Sequence, residues 1–211
     1  MRRSRWLGLT FTALLAFGCG TDTTAPGDGN TNTEPVPQSQ LTFLRPAPGV
    51  ALSRDSAVFW AKRGEDREVA MYYLPTPGSS DSVRYLRFRV RKEALLTRPD
   101  GSAFAEGDSV RITIRIRDFS NLITEFSPSG LKFSASKPAE LRLDFRNADP
   151  DRNRDGVVNA ADTSLVASFA IWKQEAVSQP WYKLTSAVEV SSNFSEVKAD
   201  ITSFTNHAVA W

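Results

Sequence analysis

Residues 110–117 read V-R-I-T-I-R-I-R, with an aliphatic residue at every even position and a polar or charged one at every odd position. Side chains of a β-strand point alternately to its two faces, so this stretch predicts a strand with one buried and one wet face. Residues 86–90 (L-R-F-R-V) and 141–145 (L-R-L-D-F) repeat the pattern. Strands of this kind are typical of antiparallel sheets.

Further strands are predicted between frequent turn signals such as P-D-G at 99–101. They fall at 57–62, 68–74, 122–126, 181–184, 187–191, 197–201 and 207–211. Many short strands at this spacing indicate a β-sandwich. Residues 160–169 instead have apolar side chains at helical spacing, and Asn159, a good N-cap residue, comes directly before them, so a short helix is predicted here. The predicted fold is therefore all-β, an antiparallel β-sandwich with one short inserted helix.

Composition excludes several classes of protein. The chain has 211 residues, 41% of them hydrophobic, which suffices for one packed domain. A single cysteine excludes an internal disulfide framework and a Cys-based zinc site. The sequence pI of about 8.8 depends largely on three arginines within residues 1–18, so it does not predict nucleic-acid binding.

The N-terminus has the pattern of an export signal. Residues 1–5 carry three arginines, and 6–17 form a mostly apolar run that is too short to span a bilayer. Small residues stand at −3 and −1 relative to Cys19, so residues 1–18 resemble a bacterial lipoprotein signal peptide. The resemblance implies cleavage before Cys19, its lipidation and, since Gly20 follows, anchoring in the outer membrane, facing the periplasm or the cell surface. An ordinary signal peptide with a chance cysteine is the alternative.

Residues 19–40 are rich in Gly, Pro, Thr and Asn and contain one branched aliphatic residue, Val36. Such a segment buries too little apolar surface to offset the entropy of ordering, which predicts a disordered tether. The sandwich is then expected to occupy residues 41–211.

Residues 151–162 read D-R-N-R-D-G-V-V-N-A-A-D. Calcium takes about six to eight oxygen ligands, and short oxygen side chains alternating on a tight loop supply them. Gly156 permits the sharp turn, and Val158 is expected to point inward and anchor the loop. A solvated turn is the alternative. The expected Ca²⁺ ligands are the side chains of Asp151, Asn153, Asp155, Asn159 and Asp162, with the backbone carbonyl of Val157.

This loop resembles the EF-hand loop, although position 12 is Asp rather than Glu, and is closer still to the calcium loop of dockerins. Dockerins use two such loops, whereas this chain has one. The partner-recognition positions of dockerins align with Ala160 and Ala161, so the resemblance implies ion binding rather than cohesin binding.

The order of motifs points to a family for the sandwich itself. The series includes R-G-E-D-R-E-V-A-M-Y-Y at 63–73, R-P-D-G-S-A-F-A-E-G-D-S-V-R-I-T-I at 98–114 and T-S-F-T-N-H-A-V-A-W at 202–211. Over residues 57–211 it resembles the ZU-type β-sandwich of ankyrins and netrin receptors. The resemblance implies a non-enzymatic module for protein contacts.

No motif indicates an enzyme. The one histidine, His207, is interpreted as a strand-surface residue, and neither G-x-S-x-G nor H-E-x-x-H occurs. The tryptophans, Trp60 among them, are interpreted mainly as core residues rather than a sugar-stacking platform. A secreted hydrolase would need His207 beside a serine and an aspartate.

Two groups of arginines follow the strand period and form a candidate polyanion face, although edge protection and solubility are the favoured interpretation. They are Arg87, Arg89, Arg91, Arg111, Arg115 and Arg117. Taken together, the sequence predicts a lipid-anchored, non-enzymatic binding or adhesion module of the bacterial cell envelope, stabilised by Ca²⁺ and contacting an envelope protein. The alternatives are a glycan- or polyanion-binding module, a hydrolase and a passive spacer.

Overall fold

The computed structural model describes residues 34–75 and 82–211. The described chain contains thirteen strands: β1 Ser56–Lys62, β2 Arg67–Tyr72, β3 Arg84–Val90, β4 Leu95–Thr97, β5 Ser109–Asp118, β6 Ile123–Ser127, β7 Lys132–Phe133, β8 Ala139–Asp144, β9 Ala170–Gln174, β10 Trp181–Lys183, β11 Ser186–Val190, β12 Ser195–Ile201 and β13 Asn206–Ala210. One α-helix, α1, spans Ala160–Leu165, and short 3-10 turns lie at Gln38–Gln40 and Val166–Ser168.

Two antiparallel sheets carry most of these strands. The six-stranded sheet has the order β1-β5-β6-β13-β9-β10, and the five-stranded sheet has the order β11-β12-β8-β3-β2. β4 and β7 form a small separate pair. The prediction of an all-β antiparallel sandwich with one short helix is confirmed.

The alternating stretches place their apolar residues between the sheets. Ile112 and Ile114 of β5 are fully buried, as is Phe88 of β3. The Phe88 ring lies 5.2 Å from that of Phe126 on β6, which joins the two sheets. The period-two pattern therefore predicted both the strands and their buried faces.

Residues 34–46, here called the N-terminal strap, are ordered against the outside of the six-stranded sheet. Val36 exchanges two backbone hydrogen bonds of 2.8 Å with Trp181, and the Phe43 and Trp181 rings are 5.1 Å apart. Residues 34–40 thus belong to the folded unit, and the predicted tether boundary at 40 is wrong because Val36 and Leu41 have an apolar surface to pack on.

The remaining N-terminal predictions lie outside the described residues. These are the signal peptide at 1–18, the lipidated Cys19 and the tether residues before 34. None of the helices in the described parts of the chain is long and apolar enough to cross a membrane.

Candidate metal centre

The loop 151–162 leads from β8 towards α1 and is tied to the strap. The Asp149 N–H donates to the Arg45 carbonyl at 2.8 Å, just before the loop. Within it, the Arg154 guanidinium donates to the Phe43 carbonyl at 2.9 Å. The loop and the strap therefore hold each other in place.

Three side chains organise the first half of the loop by accepting backbone N–H groups. Asp151 Oδ2 accepts from Gly156 at 2.9 Å, Asn153 Oδ1 from Asp155 at 3.1 Å, and Asp155 Oδ1 from Val157 at 2.8 Å. Such local side-chain-to-backbone bonds are the turn chemistry that Asp and Asn favour. They fold the alternating oxygen-bearing residues into one tight turn.

Two residues of this turn have a left-handed backbone. Arg154 has φ of +62° and Gly156 has φ of +86°. Glycine adopts this conformation without a steric penalty, whereas arginine does not. A Cβ at Gly156 would meet no atom within 4 Å, so glycine is required here by the backbone conformation rather than by space.

Asp162 holds the loop to the helix. Its side chain is inaccessible to solvent. Oδ1 accepts the N–H groups of Arg152 and Asn153 at 2.7 and 3.0 Å, and Oδ2 accepts that of Asn159 at 2.9 Å. The N–H of Asn159, then that of Asn153, lowers the pKa of this carboxyl below its ordinary value.

Asn159 completes a capping box. Its Oδ1 accepts the Ala161 N–H at 2.7 Å, while Asp162 binds the Asn159 N–H in return. The predicted N-cap is confirmed. Asn159 Nδ2 also donates to the Val157 carbonyl at 3.2 Å.

Val158 differs from the expectation. Its side chain is 62% exposed, so the prediction that it points inward is wrong. The capping box and the Asp162 hydrogen bonds already anchor the loop without burial of Val158.

The donor set fits a hard cation in its chemistry. Asp151 Oδ1 is buried and has no hydrogen-bond partner among the described residues. The loop therefore holds one unsatisfied carboxylate oxygen that a cation could bind. In residues 34–75 and 82–211, no group of three or more His, Cys, Asp or Glu side chains converges as a metal site. Asn side chains and the Val157 carbonyl provide part of the predicted ligand set, and Asp162 faces backbone N–H groups.

The arginines of the candidate polyanion face lie on two different surfaces. Arg87, Arg89 and Arg91 are on β3 in the five-stranded sheet, whereas the other three are on β5 in the six-stranded sheet. A single face built from all six is therefore wrong, because their strands belong to opposite sheets.

On the five-stranded sheet the like charges do lie side by side, and carboxylates separate them. Arg87 is directly opposite Arg142 in the register, and Glu140 Oε1 lies 3.5 Å from the former and 2.8 Å from the latter. Arg142 also contacts Glu196 at 2.5 Å. This network neutralises most of the positive charge of that surface.

Two interpretations of single residues are wrong. His207 is fully buried, with its ring 5.2 Å from Phe126, because it points inward from β13. Trp60 is 62% exposed. The alternation along β1 could have predicted this exposure. Trp60 occupies the same face of the strand as Ser56 and Lys62, opposite to the face that points into the core.

None of the protein-family models, curated proteins or solved structures compared with the chain matches it.

Proposed function

We propose that this chain is a lipid-anchored cell-envelope protein whose β-sandwich, stabilised by Ca²⁺ at residues 151–162, serves as a non-enzymatic protein-binding or adhesion module. The observation that carries the calcium part is the buried Asp151 Oδ1, which has no hydrogen-bond partner in residues 34–75 and 82–211, inside a loop already folded by its own Asp and Asn side chains.

Calcium would be held by Asp151, Asn153 and Asp155, with the Val157 carbonyl and Asn159 completing the set. The ion would supply a charge partner for Asp151 that no described side chain provides. Asp162 acts first as a positioning residue, because both of its oxygens already bind N–H groups. A contact from Asp162 to the ion would have to share Oδ2 with the Asn159 N–H, just as a contact from Asn159 would share its Oδ1 with the Ala161 N–H.

The experiment is calcium titration of the purified full-length protein, followed by calorimetry and thermal unfolding. A single loop of this kind binds in the range of about 10⁻⁵ to 10⁻³ M. For a Kd of about 10⁻⁴ M, about 5 mM Ca²⁺ would stabilise the fold by about 2 kcal/mol. EDTA should reverse the gain.

The variant Asp151→Asn should lose most of this stabilisation. Asp100→Asn is the matched control, since Asp100 lies in an exposed turn, where its side chain accepts the N–H and the hydroxyl of Ser102. Absence of heat and of any change in melting temperature in wild type would refute calcium binding. Equal responses of the two variants would refute the assignment of Asp151.

The non-enzymatic part is supported by the placement of His207, which is sealed between the sheets and so cannot meet a substrate. The binding part rests on the sequence resemblance and on exposed apolar side chains such as Val58 and Trp60 on the part of the six-stranded sheet that the strap leaves uncovered. Capture from the parent outer membrane should recover a defined partner with Ca²⁺ and lose it with EDTA. Recovery that is identical in both conditions would contradict a calcium-dependent module.

The lipid anchor is tested separately. Radiolabelled palmitate should enter wild type and not Cys19→Ser, because the chain has no other cysteine. Equal labelling of the two proteins would contradict the anchor and leave the calcium site unaffected.

A further inference from the structure

The outer face of the six-stranded sheet has two halves that differ in what lies over them. Over β13, β9 and β10, the strap packs on Trp172, Trp181 and Ala208. It also packs on Ile123 at the start of β6. Over β1, β5 and the rest of β6, outward side chains such as Val58, Trp60 and Arg111 stay exposed. We call this second region the open half.

The open half presents a flat aromatic surface beside a free cation. Trp60, which is 62% exposed, lies directly opposite Arg111 in the register. Directly opposed residues of an antiparallel pair project from the same face, about 5 Å apart at Cβ. Arg111 is exposed and makes no hydrogen bond or ion pair with any described residue.

The neighbouring rows extend this surface along the strands. Val58, which is 51% exposed, lies opposite Thr113, and Thr113 lies opposite Ser127 on β6. One row further, Arg115 is paired with Glu125 at 2.6 Å. Beyond that row is a cleft of about 370 Å³ lined by polar residues that include Arg115, Arg117, Glu125 and Asn206.

We propose that the open half binds an acidic polysaccharide, with Trp60 stacking on one sugar ring and Arg111 pairing with a sugar carboxylate. The negative π-face of an indole attracts polarised C–H groups, which line the faces of a pyranose. A guanidinium binds a carboxylate through two parallel hydrogen bonds. Thr113 and Ser127 add hydroxyl groups that match sugar hydroxyls in the next row.

Charge favours an acidic rather than a neutral glycan. In the open half, Glu125 pairs with Arg115, and Arg117 donates to Gln174 rather than to a carboxylate. Glu175, which also lines the cleft, pairs with Lys173, so Arg111 has no carboxylate partner among the described residues. On the five-stranded sheet, by contrast, arginines are matched by Glu140, Glu189 and Glu196. A ligand that brings negative charge therefore finds the unpaired Arg111 on the first surface, whereas the arginines at the centre of the second are already paired.

The test measures binding of the purified full-length protein to polygalacturonate. Trp60→Ala and Arg111→Gln should each weaken binding by about tenfold or more. Tyr72→Ala and Arg67→Gln are matched controls on the five-stranded sheet and should bind as wild type does. Methyl esterification of the polysaccharide, which removes its carboxylates, should weaken binding to a similar extent.

Tryptophan fluorescence supplies a readout at the site itself. Among the described tryptophans, Trp172 and Trp181 are buried and Trp211 is half-buried, whereas Trp60 is largely exposed. The polysaccharide should therefore protect wild-type fluorescence from acrylamide and leave Trp60→Ala unchanged. All variants are first shown to have the wild-type melting temperature to within a few degrees.

Three results would overturn the proposal: no binding of polygalacturonate, equal binding of its methyl ester, or wild-type affinity in Trp60→Ala. If polyphosphate binds as tightly as polygalacturonate and the affinity does not depend on Trp60, the surface recognises negative charge and not a sugar, which also contradicts the proposal. Because Asp151 is remote from these residues in sequence and lies in another element, loss of calcium binding in Asp151→Asn would not produce any of these outcomes.

Discussion

The outer face of the six-stranded sheet has one region that the strap covers and one that is exposed to solvent, although the same antiparallel pairing runs through both. Over β13, β9 and β10, the strap buries small and aromatic outward side chains such as Ala208, Trp172 and Trp181, while Asn206 and Gln174 hydrogen-bond to each other. Over β1, β5 and β6, outward positions alternate between hydroxyl, charged and large exposed side chains. The comparison teaches that the strap, rather than the sheet, decides which outward residues act as core.

The largest expected effect lies in the covered half. Trp181 is fully buried against Phe43 and exchanges backbone bonds with Val36. Trp181→Ala should therefore lower the free energy of unfolding by about 3–5 kcal/mol, measured by urea unfolding. A loss below about 1 kcal/mol would mean that the strap contributes little to the folded core.

The second-largest effect on stability is expected on the five-stranded sheet, where carboxylates pair with the arginines of the outer face. Burial alone would raise the pKa of Glu140, but the hydrogen bond and charge of Arg142 outweigh it, so this pKa lies below its ordinary value. Glu140→Gln should cost about 1.5–3 kcal/mol at neutral pH, the contribution expected of hydrogen bonds to a charged group.

The same variant should change the pH dependence of stability. A carboxyl group whose pKa is lowered by folding stabilises the protein above its unfolded pKa of about 4.3. That contribution is lost as the pH falls through the folded value. Wild type should thus lose more stability than Glu140→Gln on acidification. The control Glu93→Gln removes an exposed carboxylate and should keep the wild-type profile. Parallel curves for wild type and Glu140→Gln would contradict the prediction.

The smallest effect is expected in the open half. Trp60→Ala should change the free energy of unfolding by no more than about 0.5 kcal/mol, since the side chain is mostly in water. Measured beside Trp181→Ala, it compares two tryptophans of one sheet. A cost above about 2 kcal/mol would place Trp60 in a packed environment and end the contrast between the two halves.

The period-two pattern of the sequence predicted the position of a strand wherever one face of that strand is exposed to solvent. β5 and β3 were predicted within one or two residues at each end for this reason. It failed at β9, where Ala170–Gln174 is buried throughout and shows no alternation. The strap covers one side of β9 and the sandwich the other, and a long-range contact of that kind leaves no period in the sequence.

The calcium loop was predictable as a loop because its geometry is local. Each oxygen-bearing side chain meets a backbone N–H within five residues, and the N-cap follows from Asn159 alone. The role of Asp162 was harder to foresee. Its carboxylate accepts the N–H of Arg152, ten residues earlier. The position of Asp162 in the sequence motif is equally compatible with binding the ion and with this hydrogen bond.

The strap also sets how the molecule would carry a mechanical load. A pull on the chain ahead of residue 34 reaches the Val36–Trp181 pair first, then the contacts of Phe43 with Ala210 and Arg154. These contacts lie in sequence along the strap, so they would open one after another, as in peeling, before the paired strands of the sandwich bear tension. The strap is thus a built-in length of chain that yields ahead of the core.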